Sequence, residues 1–515
     1  MLKKTLQSLF LITLILTFAI SLARAQDAPL QGFDQYVEKA MQDWQIPGIA
    51  IAIVKDDAVV LAKGYGLREL GKPDKVDEHT LFAIASNTKA FIATAVGILA
   101  KEGKLDWDDP AIKYLPELQL YDPYVTRELT IRDLLCHRVG LETYAGDMIW
   151  YGSTSTADEV LHQVRYLEPH SSFRSQYGYC NLMFVAAGRI IEEVSGESWG
   201  GFLERRIFAP LRMIRSCTST HELEDMENVA TPHTEVGGKI QPIPYRNIDN
   251  AAPAGAINSS VMEIAQWLRL QLNYGTCNGK QVIDSTIIDE MRTPHTIIRI
   301  GKEQRELYPT RHFITYGLGW FLSDYHGRLV VLHGGGLDGM FSYTGFLPEE
   351  KLGIAVLTNR DDHRLMTALF YQIADAYLGV PDSDWSAILL QKRQEEKIRE
   401  AEKEKKREKE RDKKKTPYTS AEKITGNYAS KILGDAEISK EGKKLVLTLA
   451  LYPGVEGYLE HWDYETFLCK WNDPMWGKSY LTFVPDGRGS VESFKVKVRE
   501  DFIDPLEYVF ERTGE

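Results

Sequence analysis

Residues 81–96, running from Leu81 through Ser86 and Lys89 to Val96, leave a chain like this one little freedom. The spacing predicts a helix that starts at Ser86, stays apolar through Leu99 and stops at Gly103. Other elements have to pack around it. Ser86 and Lys89 lie three residues apart and share one helical face. A serine hydroxyl is a poor nucleophile until a neighbour takes its proton. A lysine held close, desolvated and with a lowered pKa can take it. Backbone N–H groups at the helix N-terminus face developing negative charge. Ser86-x-x-Lys89 is therefore a compact device for acyl transfer. A second match, Ser420-Ala421-Glu422-Lys423, follows a long charge run and precedes no apolar helix. It is read as chance.

Two short motifs downstream carry related chemistry. Tyr179-Cys180-Asn181 sits at the mouth of an apolar helix over residues 181–194. A tyrosine beside a lysine can share or shuttle the serine's proton, because the cation lowers the phenol's pKa. Asn181 can hold the lysine and a substrate amide. Tyr245-Arg246-Asn247 competes for this role, but it lies in a loop beside Pro244 with no helix after it. His333-Gly334-Gly335-Gly336 follows an apolar strand, and glycines there let a substrate backbone lie along the strand edge. The N–H of Gly336 with that of Ser86 would form an oxyanion hole. A rival nucleophile, Ser198 in Gly196-Glu197-Ser198-Trp199-Gly200, fits the Gly-x-Ser-x-Gly elbow. That elbow needs a strand before it, and here a long amphipathic helix precedes it.

The rest of the chain supplies the frame. Helices are expected over 33–44, 198–207, 261–274 and 361–378, with a short capped helix that begins at Thr130–Leu135 and ends toward Gly140. A hairpin is expected around Lys55-Asp56-Asp57, and three antiparallel strands over 329–357. Residues 235–258 and 293–315 read as long loops. Residues 1–25 read as a signal peptide, with Lys3 and Lys4, an apolar stretch and Ala23-Arg24-Ala25 before Gln26. The mature protein is then expected to be secreted or periplasmic; an uncleaved anchor is the alternative. A domain over 26–385 precedes a charged, helical linker at 386–416. Residues 417–515 alternate short strands with turns, as a small β-sandwich or barrel does.

Formal net charge is −12. Beyond the leader and the Lys/Arg/Glu-rich linker the chain is more acidic still, which argues against nucleic acid as a partner. Five cysteines stand singly, with no Cys-x-x-Cys, so neither a disulfide framework nor a zinc site is indicated. The 12 histidines show no metal-ligand spacing.

Taken together, Ser86-x-x-Lys89, Tyr179-x-Asn181 and His333-Gly334-Gly335 resemble the serine β-lactamase and penicillin-binding protein family, most closely its class C-like serine hydrolases and esterases. The likeness spans about residues 30–380 and takes in Thr130–Leu135, Gly188–Glu192 and Ile207–Leu211. It implies an α+β fold, an antiparallel sheet flanked by helices with a helical lobe, and an active site between them. The tail resembles the small β-domain often appended to such hydrolases. By this resemblance Ser86 is the acylated nucleophile, Lys89 its base partner and Tyr179 the general acid/base. Asn181 positions substrate, and His333, Gly335 and Gly336 line the third wall. Many family members carry a lysine where this chain has His333; a histidine is largely neutral at pH 7, which weakens carboxylate binding. The expected activity is hydrolysis of an ester or amide, as in β-lactamases, D-alanyl carboxypeptidases or esterases. The substrate would be a small molecule or peptide, cell-wall fragments included, with no cofactor. A protein of the same fold that acylates once and signals, or serves as a scaffold, is the alternative.

Overall fold

The computed structural model describes residues 28–361, 363–381, 383–411, 420–486, 490–498 and 504–514. The expected signal peptide and the end of the linker fall outside them. Helix α1 (Phe33–Trp44) leads into a hairpin of β1 (Gly48–Lys55) and β2 (Ala58–Gly66). The turn between them holds Asp56 and Asp57 at positive φ, a conformation that aspartate tolerates better than most residues. Next come α2 (Thr88–Lys101), α3 (Asn181–Ser195) and α4 (Val261–Leu272). The remaining sheet strands are β3 (Thr296–Ile298), β4 (Ile314–Tyr316), β5 (Phe321–Tyr325), β6 (Arg328–Leu337), β7 (Met340–Leu347) and β8 (Leu352–Thr358). Helix α5 (Leu365–Leu378) closes this part.

These strands form one antiparallel sheet in the order β2-β1-β8-β7-β6-β5-β4-β3. β1 shows why the molecule is layered. It is buried at every position from Gly48 to Val54, as a strand covered on both faces must be. Ile49, Ile51 and Ile53 enter a core with α1 and α5, while Ala50, Ala52 and Val54 enter the core that holds α2 and α4. α2 is buried all round from Thr88 to Leu99, and Phe91 stacks on Trp267 of α4 with centroids 4.1 Å apart.

The short helix Ile131–Leu134 has the capping box expected of it. Thr130 accepts from the Asp133 N–H, and the Asp133 carboxylate accepts from the Thr130 N–H. Thr130→Ala is expected to lower stability by about 1 kcal/mol, read as a lower denaturant midpoint at unchanged m-value.

Two stretches read as loops are not. Residues 239–242 pair with 233–236 in a hairpin, and residues 249–254 form a 3₁₀ turn. In 293–315, β3 and β4 extend the sheet and a helix spans Lys302–Leu307. Three-residue strands carry too little periodicity to be seen locally; pairing to β5 makes them strands. The glycines after His333 differ too. They do not end the strand, because β6 runs on to Leu337 and pairs with β7 throughout.

The charged segment forms α6 (Trp385–Glu410). Its start belongs to the core shared with α1 and α5, where Trp385 and Leu389 are buried. Along the helix Arg393 meets Glu396 and Glu400, and Glu396 and Lys397 reach off it to Arg364 and Glu235. Beyond it lies a closed antiparallel barrel of β9 (Gly426–Ser430), β10 (Gly434–Glu441), β11 (Lys444–Leu449), β12 (Glu456–Asp463), β13 (Thr466–Trp471), β14 (Lys478–Pro485), β15 (Val491–Lys497) and β16 (Glu507–Arg512). β16 closes on β9 through Tyr428 and Arg512. The five cysteines are all buried and unpaired.

Candidate active site

The turn before α2 is held from three sides. Ile84 N–H donates to the Ile257 carbonyl at 2.9 Å. Ser342 Oγ donates to the Ile84 carbonyl at 2.7 Å, and Asn87 Nδ2 donates to Ser342 Oγ at 2.8 Å. Ala85 is driven to φ 45°, a left-handed conformation that costs a non-glycine residue energy and is tolerated where surroundings over-determine it. The result is a 3₁₀ turn over Ala85–Asn87 that carries Ser86 to the floor of a cleft of about 700 Å³.

Lys89, one turn on, is fully buried. Its Nζ donates to Ser86 Oγ at 3.0 Å, to Asn181 Oδ1 at 2.8 Å and to the Ala254 carbonyl at 2.7 Å. It also sits over the Tyr179 ring, 4.8 Å from the centroid. Burial lowers its pKa to about 7, against the pull of the Asp147 charge. A fraction near half is therefore free amine at neutral pH. With the free amine acting as base, kcat/KM governed by acylation is expected to rise about tenfold per pH unit below 7 and level off above about 8. A pH profile of ester hydrolysis with its midpoint near 10 would show instead that the lysine stays charged.

Tyr179 is buried against Tyr144 and His137, and its hydroxyl is hydrogen-bonded to Ser86. Here the expectation of a lowered phenol pKa is overturned. Burial, and then Tyr144, push it well above its ordinary value, outweighing the Ser86 hydrogen bond. Tyr179 is therefore a neutral phenol rather than a resting phenolate.

Asn181 begins α3. Its Nδ2 donates to Asp147 Oδ2 at 2.7 Å while Oδ1 accepts from Lys89. Asp147 Oδ1 accepts from Trp150 Nε1 at 2.8 Å. Burial raises the Asp147 carboxyl well above its ordinary value and the Asp504 charge adds to this, against the Trp150 and Asn181 hydrogen bonds and the Lys89 charge.

The third wall is β6. A Cβ on Gly335 would lie 2.2 Å from the Ile84 carbonyl and 3.0 Å from Ser86 N; only glycine lets this strand approach the Ser86 turn so closely. Gly336 follows at the rim, exposed. His333 Nδ1 lies 2.6 Å from the Gly334 carbonyl and Nε2 lies 2.9 Å from the Tyr316 hydroxyl. A carbonyl only accepts, so Nδ1 carries the proton and Nε2 accepts from Tyr316. Burial, reinforced by Lys89, lowers its pKa to about 3. His333 is thus neutral at pH 7.

All seven residues singled out in the sequence (Ser86, Lys89, Tyr179, Asn181, His333, Gly335 and Gly336) meet in this one region. The competitors fall elsewhere. Tyr245 donates to the Ala230 carbonyl and Asn247 is bonded near His221. Ser198 caps a short helix through the Gly201 N–H, and Ser420 precedes another. Asp147, the Ala254 carbonyl, Tyr144, Trp150 and Tyr316 were not found from sequence. Gly146-Asp147 and Pro253-Ala254-Gly255 carry no pattern that marks them. The cleft continues past β6 to Phe321, Tyr343, Met366 and Tyr371, an aromatic extension that Arg299, Gln304 and Arg311 also line.

An antiparallel sheet backed by helices, with a serine and a buried lysine at its seam with a helical lobe, defines the class of β-lactamases and penicillin-binding proteins. The chain belongs to the Beta-lactamase family, whose model matches residues 33–378. Residues 410–512 match a domain of unknown function. Among curated relatives, an unguisins hydrolase of Aspergillus violaceofuscus is 29% identical over 69% of this chain and 66% of its own length. The flp protein of Staphylococcus aureus is 28% identical over 64% of this chain and 63% of its own. The chain thus spans just under two thirds of the length of these relatives. An octameric penicillin-binding protein homologue from Pyrococcus abyssi shares the fold at TM-score 0.61 and 23% identity, over 94% of this chain and all of that one. A D-stereospecific amidohydrolase from Streptomyces shares it at TM-score 0.52 and 24% identity, over 67% of this chain and 96% of that one.

Proposed function

We propose that the protein is a serine hydrolase, exported from the cytoplasm, that attacks an ester or amide carbonyl with Ser86 and passes through an acyl-enzyme. The observation that carries this is the contact of Ser86 Oγ with a buried, half-deprotonated Lys89 at the floor of an open cleft. Lys89 takes the hydroxyl proton as Ser86 adds to the carbonyl carbon. The Ser86 and Gly336 N–H groups hold the oxyanion. The proton reaches the leaving group through the Tyr179 phenol. Water then repeats the sequence on the acyl-enzyme and frees Ser86. Asn181 fixes the amine and is placed to meet a substrate amide.

The neutral state of His333 shapes the substrate. Without a cation at that wall, a carboxylate next to the scissile bond gains no ion pair there. The aromatic extension of the cleft accepts apolar groups instead. Esters and amides of small molecules or peptides, uncharged at that position, fit best. The hydrolase named among the relatives supports turnover rather than a single acylation.

The test is intact-protein mass spectrometry after exposure to a short-chain chromogenic ester, a D-alanyl peptide and a β-lactam, with Ser86→Ala as control. A mass gain mapped to Ser86, with steady turnover fastest for the ester or an uncharged amide, is expected. Turnover retained in Ser86→Ala would overturn the reading. A burst without steady release would place the protein with the single-acylation scaffolds.

A further inference from the structure

The barrel reaches the active site chiefly at residues 144–151, which line the cleft with Tyr144, Asp147, Trp150 and Tyr151. The contact is polar and buried at its centre. Asp504 is fully buried. Its Oδ2 accepts from the Met148 N–H at 3.1 Å, and the Gly146 N–H also donates to this carboxylate. Tyr508 of β16 donates to the same oxygen, and Oδ1 accepts from the Leu506 N–H at 2.9 Å. Tyr452 of the barrel donates its hydroxyl to the Met148 carbonyl. Around these bonds Tyr452, Met475 and Trp476 join the apolar core that contains Met148 and Ile149. At the rim, Arg246 bridges cleft-lining Asp338 to Asp473 of the barrel at 2.7 and 2.8 Å, and Tyr151 donates to Asp338.

Resting on the acyl-enzyme reading above, we propose that the C-terminal barrel is a positioning part of the catalytic apparatus: Asp504 and Tyr452 clamp the backbone on both sides of Asp147, so that Asp147 holds the Asn181 amide and Asn181 holds the Lys89 amine. The chain of contacts is continuous. Both peptide groups of Met148, N–H and carbonyl, are taken by barrel side chains. The residue before it aims its carboxylate at Asn181 Nδ2. Because Asp147 Oδ2 takes Asn181 Nδ2, the amide turns Oδ1 toward Lys89. Without that orientation two donors would face each other, and the amine would leave Ser86. Within the segment the Asp147 N–H donates to the Tyr144 carbonyl and the Asp147 carbonyl accepts from the Trp150 and Tyr151 N–H groups, and the barrel bonds add to this turn. Asp504, Tyr452 and Asp147 are positioning residues; none touches Ser86.

Asp504→Asn in the full chain tests this. The asparagine amide must point its NH₂ either at the Leu506 N–H or at the Met148 N–H, so one clamp bond is replaced by a donor–donor contact. With a short-chain chromogenic ester, kcat is expected to fall about tenfold while KM stays within about twofold. Should Asp504→Asn fail to fold, Tyr452→Phe carries the test alone, with kcat expected to fall about threefold or more. Val509→Thr, on the outward face of β16, serves as the matched barrel control and keeps wild-type kcat. Unchanged kcat in the folded variants, or a change in KM alone, overturns the proposal. Ser86→Ala, run beside them, separates the two failures: if it retains turnover, the nucleophile is wrong. If it is inactive while Asp504→Asn and Tyr452→Phe match the wild type, only the role of the barrel is wrong.

Discussion

Lys89→Met should reduce kcat/KM for a chromogenic ester by about 10³-fold or more, with little loss of folded protein. Methionine nearly matches the lysine stem in length and suits a fully buried site. It leaves Asn181 Oδ1 and the Ala254 carbonyl without a donor, a cost of about 1–3 kcal/mol each. That loss is offset in part because a desolvated amine no longer has to be accommodated. Activity and stability therefore separate in this variant. The chemistry has no substitute base within reach: His333 is locked as a neutral ring whose Nε2 accepts from Tyr316. The Asp147 carboxylate is occupied by Trp150 and Asn181. Steady-state rates and thermal melts on the same preparations decide the matter. Activity within tenfold of wild type would remove Lys89 from the mechanism.

The second large effect belongs to Tyr179, and it depends on the leaving group. Tyr179→Phe keeps the ring that packs 4.1 Å from His137, so binding and folding change little. What is lost is a neutral phenol hydrogen-bonded to Ser86. An alkoxide or amine cannot depart without a proton, whereas a nitrophenolate can. The variant should lose about 10²-fold or more in kcat on alkyl esters and amides, and far less in the acylation step with nitrophenyl esters. Pre-steady-state bursts with the two ester types measure the difference. An equal loss on both would mean that Tyr179 serves as the base for Ser86, not as the acid for the leaving group.

How much of this was legible beforehand follows from distance along the chain. α1 appears where its amphipathic spacing put it, and the β1–β2 hairpin turns at Asp56 and Asp57 as read. Thr130 and Asp133 cap each other across three residues, as their types foretold. Each of these depends on neighbours a few positions away. β3 and β4 were missed because nothing within their three residues distinguishes strand from loop; the ladder to β5 does. The choice between sandwich and barrel was open for the same reason, since closure is a pairing of residue 428 with residue 512.

The sequence by itself determined that Ser86 and Lys89, three residues apart, would lie on one side of a helical turn; that Ser86 sits on a 3₁₀ turn ahead of α2 was decided by the contacts that hold Ile84 and Ala85. It also placed glycines after His333, where a substrate backbone could lie along the strand edge; that a side chain at Gly335 would collide with the Ser86 turn came only with the fold. What those groups do was decided only in the tertiary structure. Asp147, the Ala254 carbonyl and Tyr316 arrive from separate segments, and with burial they set the charge on Lys89, the proton on Tyr179 and the tautomer of His333. Protonation is governed by desolvation and by charges within a few ångströms, and those neighbours are assembled by folding from positions that no local pattern connects.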